Sequence, residues 1–185
     1  MKKIINYALV IMTFISFNAL AVLPPPKDTG LPLHSKVPEL SAVDIFNNRQ
    51  TLKQLSGKKG LILIFFRSAD WCPYCKKHLV EINKWNDKFN QLGYKFAAIS
   101  YDDTKTLRKF TYKKHLKYPL LADQNHQTIK AYNVLNTEQK EGSEHYGIPF
   151  PGVMIIDPEG KLAYKYFYLG YKKRVVLKDL YNTLN

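Results

Sequence analysis

A run of six apolar residues at 61–66 (Leu-Ile-Leu-Ile-Phe-Phe) constrains the fold of this chain more than any other sequence feature. An uninterrupted apolar run of this length is typical of a β-strand that is covered on both faces. The apolar residues beyond it recur at spacings of three and four: Leu79, Ile82, Trp85, Phe89 and Leu92. This spacing predicts a helix that ends at Gly93. A buried strand followed by a helix indicates a sheet with helices on its faces.

Strand and helix patterns continue to alternate after Gly93. The predicted strands are 94–100, 118–122, 153–156 and 161–168, and the last two are joined by a turn at 157–160. The predicted helices are capped by Asp102 or Asp103 and by Asp123, and a further helix closes the chain from about Val176. This order of elements predicts an α/β fold with a helix-covered sheet.

Two weaker patterns complete the secondary-structure prediction. Residues 40–45 alternate apolar and polar side chains, which predicts a short strand with 51–55 as its partner. In the last predicted strand, one face is shared by Leu162, Tyr164, Tyr166 and Tyr168. A strand face packed on a helix explains this spacing better than an aromatic ligand site does.

The first 21 residues have the pattern of an export signal. Lys2 and Lys3 precede an apolar stretch at 4–17, and residues 19–21 (Ala-Leu-Ala) form a small-x-small cleavage site. The stretch is short for a membrane span of about 20 residues, so we expect a cleaved signal peptide over 1–21 rather than an anchor. The sequence therefore predicts a periplasmic protein with no stable membrane insertion after cleavage.

The remainder of the chain is predicted to form one domain behind a short lead-in. Residues 22–36 contain four prolines and Gly30, which favours an extended tail or surface strap. Residues 37–185 are enough for one domain with a full core and too few for two ordinary ones.

The chain is strongly basic, with a formal charge of +13 that falls to +11 once Lys2 and Lys3 are removed with the signal. Such a charge suits an anionic partner, an acidic envelope surface or nucleic acid. Because an exported protein rarely meets nucleic acid, we expect a solvated basic surface and no nucleic-acid partner.

Cys72 and Cys75, the two cysteines of the chain, flank Pro73 and Tyr74 between the buried strand and the predicted helix. Free N–H groups and the positive end of the dipole stabilise a thiolate at a helix N-terminus, so Cys72 is the predicted nucleophile and is expected to be exposed. Cys75, one turn inside, can attack a mixed disulfide at Cys72 and release the substrate. Pro73 is suited to the first helical turn, where its missing N–H costs no hydrogen bond.

Two other interpretations of the cysteine pair are a zinc half-site and an inert local disulfide. Zinc takes about four ligands, whereas this chain has no further cysteine and five scattered histidines. The strand-to-helix setting is the one that exchange chemistry needs, which argues against an inert bridge. We therefore expect a redox-active Cys72–Cys75 disulfide, no metal and no cofactor.

Two segments carry a resemblance to a known family. The first is 65–70 (Phe-Phe-Arg-Ser-Ala-Asp) running into Trp71-Cys72-Pro73-Tyr74-Cys75, and the second is 146–152 (Tyr-Gly-Ile-Pro-Phe-Pro-Gly) running into 153–157. Over about 37–185 the chain resembles the thioredoxin-like superfamily, in particular exported TlpA-like thioredoxins and the alkyl hydroperoxide reductase/thiol-specific antioxidant (AhpC/TSA, peroxiredoxin-like) family. Residues 118–123 resemble the peroxiredoxin-like branch. The resemblance implies a single-domain thioredoxin fold with a central mixed sheet covered by helices.

The resemblance also implies a substrate-binding surface around the cysteine pair. It assigns a cis-proline to Pro151, beside the disulfide, where the exposed backbone of Phe150 would pair with an extended substrate. Trp71, Pro73 and Tyr74 would contribute the other side of this surface. The alternative is that Pro151 and its neighbour Pro149 only shape a turn.

Two charged residues are candidates for tuning the thiolate. Thioredoxins carry a buried Asp six residues before the first cysteine, but Phe66 occupies that position here. Proton transfer to Cys75 must then use water or another group, and Asp70 is one candidate. Arg67 is a candidate for stabilising the thiolate. The alternatives are that Asp70 is simply solvated and that Arg67 pairs with a surface acid.

Three functions are compatible with these features. The first is dithiol–disulfide exchange with protein thiols or disulfides of the periplasm, recycled by an unidentified redox partner. The second is an antioxidant thiol peroxidase. Peroxiredoxins carry the signature Pro-x-x-x-Thr-x-x-Cys, which this chain lacks. If Cys72 is aligned with the cysteine of the signature, Phe65 and Ala69 occupy the Pro and Thr positions. If Cys75 is aligned with it, Ser68 and Cys72 occupy them. The third is a basic binding module without turnover, which an intact Cys-x-x-Cys pair argues against. The dipeptide Pro73-Tyr74 between the cysteines matches that of glutaredoxins. It does not decide whether the protein oxidises or reduces its substrates.

Overall fold

A computed structural model describes residues 29–168 and 172–185 of the chain. The predicted signal peptide and residues 22–28 of the lead-in lie outside the described residues. Within the described ranges, no helix is both long enough and apolar enough to cross a membrane.

The described residues form a five-stranded mixed sheet. Its strands are β1 (Gly60–Phe65), β2 (Tyr94–Ser100), β3 (Leu120–Ala122), β4 (Gly152–Ile156) and β5 (Leu162–Phe167). Their order is β3-β2-β1-β4-β5; β2 is parallel to β1 and β3, whereas β4 is antiparallel to both β1 and β5. Every residue of β1 is buried, because β1 is the central strand and both of its faces are covered. The predicted mixed sheet is confirmed.

Helices cover both faces of the sheet. They are α1 (Leu52–Leu55), α2 (Pro73–Leu92), α3 (Thr104–Lys114), α4 (Gln127–Ala131) and α5 (Leu177–Leu184). Alternate β1 residues point to opposite faces: Ile62 packs in the cluster that holds α2 and α5, and Leu63 in the cluster that holds α4. The helix predicted to end at Gly93 does so, since Gly93 adopts a left-handed conformation and closes α2.

The prediction of paired strands at 40–45 and 51–55 is wrong. Thr51 instead caps α1: its side chain accepts a hydrogen bond from the backbone of Gln54, whose side chain in turn accepts from the backbone of Thr51. This reciprocal capping box gives hydrogen-bond acceptors to the N–H groups of Thr51 and Gln54. In a strand, these groups would have needed acceptors on a neighbouring strand. In 40–45, Val43 forms only isolated bridges, to Arg49 and Ala122.

The face predicted for the last strand is broken at its first residue. Leu162 packs into the core cluster on the α4 side, whereas Tyr166 packs on the α5 side. The cause is a shift in register between β4 and β5, where Ile155 pairs with Tyr164 but Ile156 pairs with Leu162. Such a bulge reverses the face to which the following residues point. Tyr166 packs against the cluster that holds α5, and all three tyrosines line a cavity of about 90 Å³ with Leu180 of α5.

The described part of the lead-in lies along β5 as a strap. The backbone N–H of His34 donates to the carbonyl of Leu162 at 2.7 Å, and the N–H of Leu162 donates to Ser35 at 2.9 Å. These bonds pair the backbone of Leu162 at the start of the outer edge of β5, where it would otherwise be left to solvent.

Candidate active site

Cys72 lies at the junction between β1 and α2, where the sequence predicted it. It is the N-cap residue of α2, Pro73 is the first helical residue, and the Sγ of Cys72 accepts a hydrogen bond from the backbone N–H of Cys75 at 3.2 Å. The two sulfurs are at bonding distance and form a disulfide, with the Cα atoms 5.3 Å apart. A thiolate released at Cys72 would face the free N–H groups of the helix start.

Both cysteines are buried, so the expectation of an exposed Cys72 is wrong. Cys72 is 1% exposed and Cys75 is 0% exposed. The reason is that both belong to the core cluster under the α2 face of the sheet, with the half-buried Trp71 packed against it. A substrate therefore reaches Cys72 only after surrounding side chains move.

A buried carboxylate holds the loop that leads into Cys72. Asp102 accepts a hydrogen bond from the backbone N–H of Ala69 at 2.7 Å and another from the hydroxyl of Ser100 at 3.0 Å. Ser68 continues this network by accepting from the backbone N–H of Asp70 at 2.9 Å. Burial raises the pKa of Asp102, and these hydrogen bonds oppose the rise because they favour the charged form.

Sequence reasoning considered Asp102 only as a helix cap. Asp103 takes that role instead, since its carboxylate accepts a hydrogen bond from the backbone N–H of Thr106 at 2.7 Å. The two adjacent acids thus divide two tasks, capping α3 and holding the loop before Cys72.

Trp71 forms a fixed aromatic wall next to Cys72. Its indole N–H donates to the hydroxyl of Tyr101 at 2.9 Å, and its ring stacks on His145 with the ring centres 4.5 Å apart. The guanidinium of Arg67 lies over the Trp71 ring at 4.6 Å from its centre. Arg67 therefore makes a cation–π contact, and its predicted influence on the thiolate stays a prediction.

Arg174 contacts the disulfide, and sequence reasoning missed it. Its Nη2 lies 3.2 Å from the Sγ of Cys75 and 4.0 Å from the Sγ of Cys72. Burial, together with repulsion from Arg67, lowers the pKa of Arg174 to about 10, so the guanidinium stays positively charged at neutral pH. The chemistry of a cation beside two sulfurs is the stabilisation of a thiolate.

His78 lies one helical turn after Cys75 and is also buried. Burial, together with repulsion from Arg174, lowers the pKa of His78 to about 3, although a hydrogen bond with the backbone of Val175 acts in the opposite direction. The imidazole is therefore neutral at physiological pH. His78 links α2 to the segment that carries Arg174.

The prediction of a cis-proline at Pro151 is wrong. The described residues contain no cis peptide bond. The backbone N–H of Phe150, which was expected to bind a substrate, donates to the carbonyl of Val134 at 2.7 Å, and Leu135 forms a bridge with Pro149. This internal antiparallel pairing occupies the backbone N–H of Phe150, which is then not available to a substrate strand. A substrate-binding role for the Phe150 and Pro151 side chains stays a prediction.

The other predicted residues lie at the surface beside the pair. Pro73, Tyr74 and Asp70 are exposed, and Tyr74 retains 39% of its accessible surface. The backbone carbonyl of Asp70 accepts a hydrogen bond from the ammonium group of Lys76 at 2.6 Å. The described residues contain no group of three or more side chains arranged to hold a metal ion.

A mixed sheet with a cysteine pair at the start of the helix after its central strand defines a redoxin with a thioredoxin-like fold. The chain belongs to the AhpC/TSA family, whose model matches residues 33–165.

Curated relatives of the chain are peroxiredoxins. It is 26% identical over 130 residues to peroxiredoxin Bcp of Bacillus subtilis (strain 168), covering 70% of this chain and 78% of the relative. It is 25% identical over 146 residues to the 1-Cys peroxiredoxin PER1 of Triticum aestivum, covering 75% of this chain. This match spans only 65% of the length of the wheat protein.

The fold is similar to that of solved peroxiredoxin structures. The structure of peroxidoxin BcpB from Mycobacterium tuberculosis superposes with a TM-score of 0.71 over 85% of this chain and 97% of that chain. The two sequences are 18% identical, so this likeness supports the fold and not a shared activity.

Proposed function

We propose that this chain is an exported thiol–disulfide oxidoreductase that exchanges disulfides with other proteins through Cys72 and Cys75. The observation that carries the proposal is the placement of two bonded sulfurs at the N-terminus of α2 with the guanidinium of Arg174 on them. Exchange chemistry needs a stabilised leaving thiolate, which this arrangement supplies, and access to the Sγ of Cys72, which requires the side chains around it to move.

Oxidation of a substrate dithiol would take two displacement steps. In the first, a substrate thiolate attacks the Sγ of Cys72, the Cys72–Cys75 bond breaks, and Cys75 leaves as a thiolate beside Arg174. In the second, the other substrate thiolate attacks the mixed disulfide, and Cys72 leaves as a thiolate at the helix N-terminus. The substrate gains a disulfide and the enzyme gains two thiols, so the electrons balance.

Reduction of a substrate disulfide runs through the same steps in reverse. The direction in the cell depends on the reduction potential of the pair relative to its partners. About 30 mV corresponds to roughly 1.4 kcal/mol, which is the size of one hydrogen bond to a thiolate. A measured potential against glutathione therefore decides the direction.

We also propose that the protein works in the periplasm. The support is the basic, apolar and small-residue pattern of residues 1–21, which lie outside the described part of the chain. Mass spectrometry of the protein purified from periplasmic extract should find a mature chain that begins at Val22. A chain recovered from membranes with its apolar N-terminus intact would contradict export with cleavage.

The names of the curated relatives support a second candidate function, a thiol peroxidase. The Cys72 thiolate would attack a peroxide oxygen, releasing an alkoxide or hydroxide and leaving a sulfenic acid. Cys75 would then displace water from that sulfur and form the observed disulfide. Against this candidate, Phe65 and Ala69 stand where the peroxidase signature has Pro and Thr.

One experiment compares the two activities. The purified protein should reduce insulin and an uncharged disulfide, bis(2-hydroxyethyl) disulfide, when dithiothreitol is supplied, and should consume hydrogen peroxide far more slowly. A variant with serine at both cysteines gives the background rate. Fast, saturable peroxide turnover together with slow disulfide reduction would make the peroxidase the correct function.

A further inference from the structure

A basic groove begins at the loop that leads into Cys72. It has a volume of about 650 Å³, and the backbone segment of Ala69 and Asp70 forms one end of it. The side chains that give it its charge are five lysines: Lys76 of α2 and Lys105, Lys109, Lys113 and Lys114 of α3. We name this feature the lysine groove. One end of the groove therefore lies at the loop that leads into Cys72.

Three of these lysines form a stripe along α3. Lys105, Lys109 and Lys113 are spaced by four residues, so they lie on one face of the helix, and all three are exposed. Like charges at this spacing destabilise an isolated helix. The stripe therefore has no explanation in the stability of α3, whereas a bound anion would offset the repulsion.

Two carboxylates, Asp70 and Asp103, also line the groove, so they offset only part of the charge of its five lysines. Among the described residues, none of these lysines forms an ion pair; the recorded ion pair joins Lys117 and Asp87 outside the groove. Asp103, which lines the groove, already accepts the hydrogen bond that caps α3. Phe110 adds an apolar surface to the groove wall. The groove thus offers several ammonium groups and an apolar contact, which suits an acidic polypeptide segment better than a small inorganic anion.

We propose that the lysine groove binds an acidic stretch of the protein whose thiol or disulfide reacts at Cys72, and that it thereby selects acidic protein substrates. The inference rests on the proposed exchange function and names the substrate class for it. Electrostatic attraction of this kind raises the rate of encounter and falls with ionic strength.

The test uses synthetic peptides with one internal disulfide flanked by a run of glutamates, glutamines or lysines. With dithiothreitol as reductant, the wild-type protein should reduce the glutamate peptide with a kcat/KM at least tenfold above that of the glutamine peptide at low salt. The lysine peptide should be the poorest substrate. The difference should shrink at about 0.15 M salt, where the screening length falls to about 8 Å.

Two variants of equal charge change locate the effect. Lys105→Gln/Lys109→Gln/Lys113→Gln should lose the preference for the glutamate peptide and keep its rate on bis(2-hydroxyethyl) disulfide. Lys53→Gln/Lys58→Gln/Lys59→Gln removes exposed lysines from α1 and the turn before β1, at the opposite end of β1 from Cys72, and should keep the preference. Equal losses in both variants, or no preference in the wild-type protein, would overturn the proposal.

A binding measurement separates this proposal from the exchange function. A labelled glutamate peptide with serines in place of its cysteines reports binding by fluorescence anisotropy without any chemistry. It should bind the wild-type protein and the control variant alike, and the α3 variant at least tenfold more weakly. Binding that follows this pattern without turnover of any disulfide would contradict the exchange function alone, and turnover without it would contradict the groove alone.

Discussion

The loop before α2 and the segment before α5 reach the same two sulfurs in different ways. The first, 67–71, begins two residues after the end of β1 and is held by a hydrogen bond from Ala69 to the buried Asp102. The second, 172–176, has no helix or strand and carries Arg174 to the sulfurs from 99 residues beyond Cys75. The comparison indicates that local structure places the nucleophile, whereas tertiary packing supplies the charge next to it.

The largest effect is expected from substitution of the two cysteines, which lie next to both regions. Cys72→Ser should abolish turnover and trapping, because it removes the predicted nucleophile. Cys75→Ser should also stop turnover but should accumulate partner proteins as covalent adducts, because a mixed disulfide at Cys72 then has no resolving thiol. Non-reducing gels with and without dithiothreitol check this. Trapping by Cys72→Ser and not by Cys75→Ser would exchange the two roles.

The next largest effect is expected from loosening the first region. Asp102→Ala leaves the N–H of Ala69 and the hydroxyl of Ser100 without their buried acceptor, which costs about 1–3 kcal/mol of unfolding free energy. Asp102→Asn keeps an acceptor oxygen and should lose less. Urea unfolding measures both values, and the rate of insulin reduction should fall in the same order. Equal stability in the alanine variant and the wild-type protein would show that the loop is held by other contacts.

A smaller effect is expected from removing the charge of the second region. Arg174→Gln should raise the pKa of the thiol that Arg174 contacts, because the thiolate loses the positive charge beside it. The reduction potential should become more negative by about 30 mV, because the reduced form loses stabilisation. Alkylation rates measured against pH test the change in pKa, and titration against glutathione measures the change in reduction potential. The neighbouring change Lys173→Gln is the control and should alter neither.

At neutral pH the smallest effect is expected from His78, the link between the two regions, because its contribution appears only below pH 6.5. The pKa of His78 is lowered from 6.5 to about 3, mainly by burial. The imidazole is therefore protonated below about pH 6.5 in the unfolded chain but stays neutral down to about pH 3 in the folded chain. Stability is therefore full above pH 6.5 and falls by about 1.4 kcal/mol per pH unit below it, until pH 3. His78→Gln should flatten this slope between pH 6.5 and 5 in urea unfolding. An unchanged slope would mean that His78 does not carry the acid sensitivity.

The sequence predicted the strand, the cysteine pair and the helix that flank the first region, but not the hydrogen bond from that region to Asp102, and it predicted the second region hardly at all. Six apolar residues, a cysteine pair and an amphipathic helix are local patterns, and each reports its own secondary structure. The position of Arg174 depends on how 172–176 packs against α2, which no local pattern encodes. The bulge between Leu162 and Tyr164 could not be predicted either. It changes the face to which side chains point in the folded sheet, but the sequence keeps the same alternation of residues.

Some of the missed features did have a signal. Thr51 and Gln54 have the spacing of a capping box, which predicts a helix start more specifically than the alternation that suggested a strand. The trans bond at Pro151 had no such signal, because the resemblance implied a cis bond there. The pairing of Phe150 with Val134 had no local signal either, because it joins two loop segments that only the folded chain brings together.

The position of Trp71 should make the redox state of the cysteine pair measurable by intrinsic tryptophan fluorescence. The chain contains two tryptophans, and Trp71 directly precedes Cys72 and packs against the cluster that holds both sulfurs. A disulfide accepts an electron from a nearby excited indole and quenches its emission, whereas a pair of thiols does so weakly. Trp85, which contacts Tyr181 of α5, supplies a steadier background. Reduction of the pair should therefore brighten the intrinsic fluorescence, and Trp71→Phe should remove most of that change.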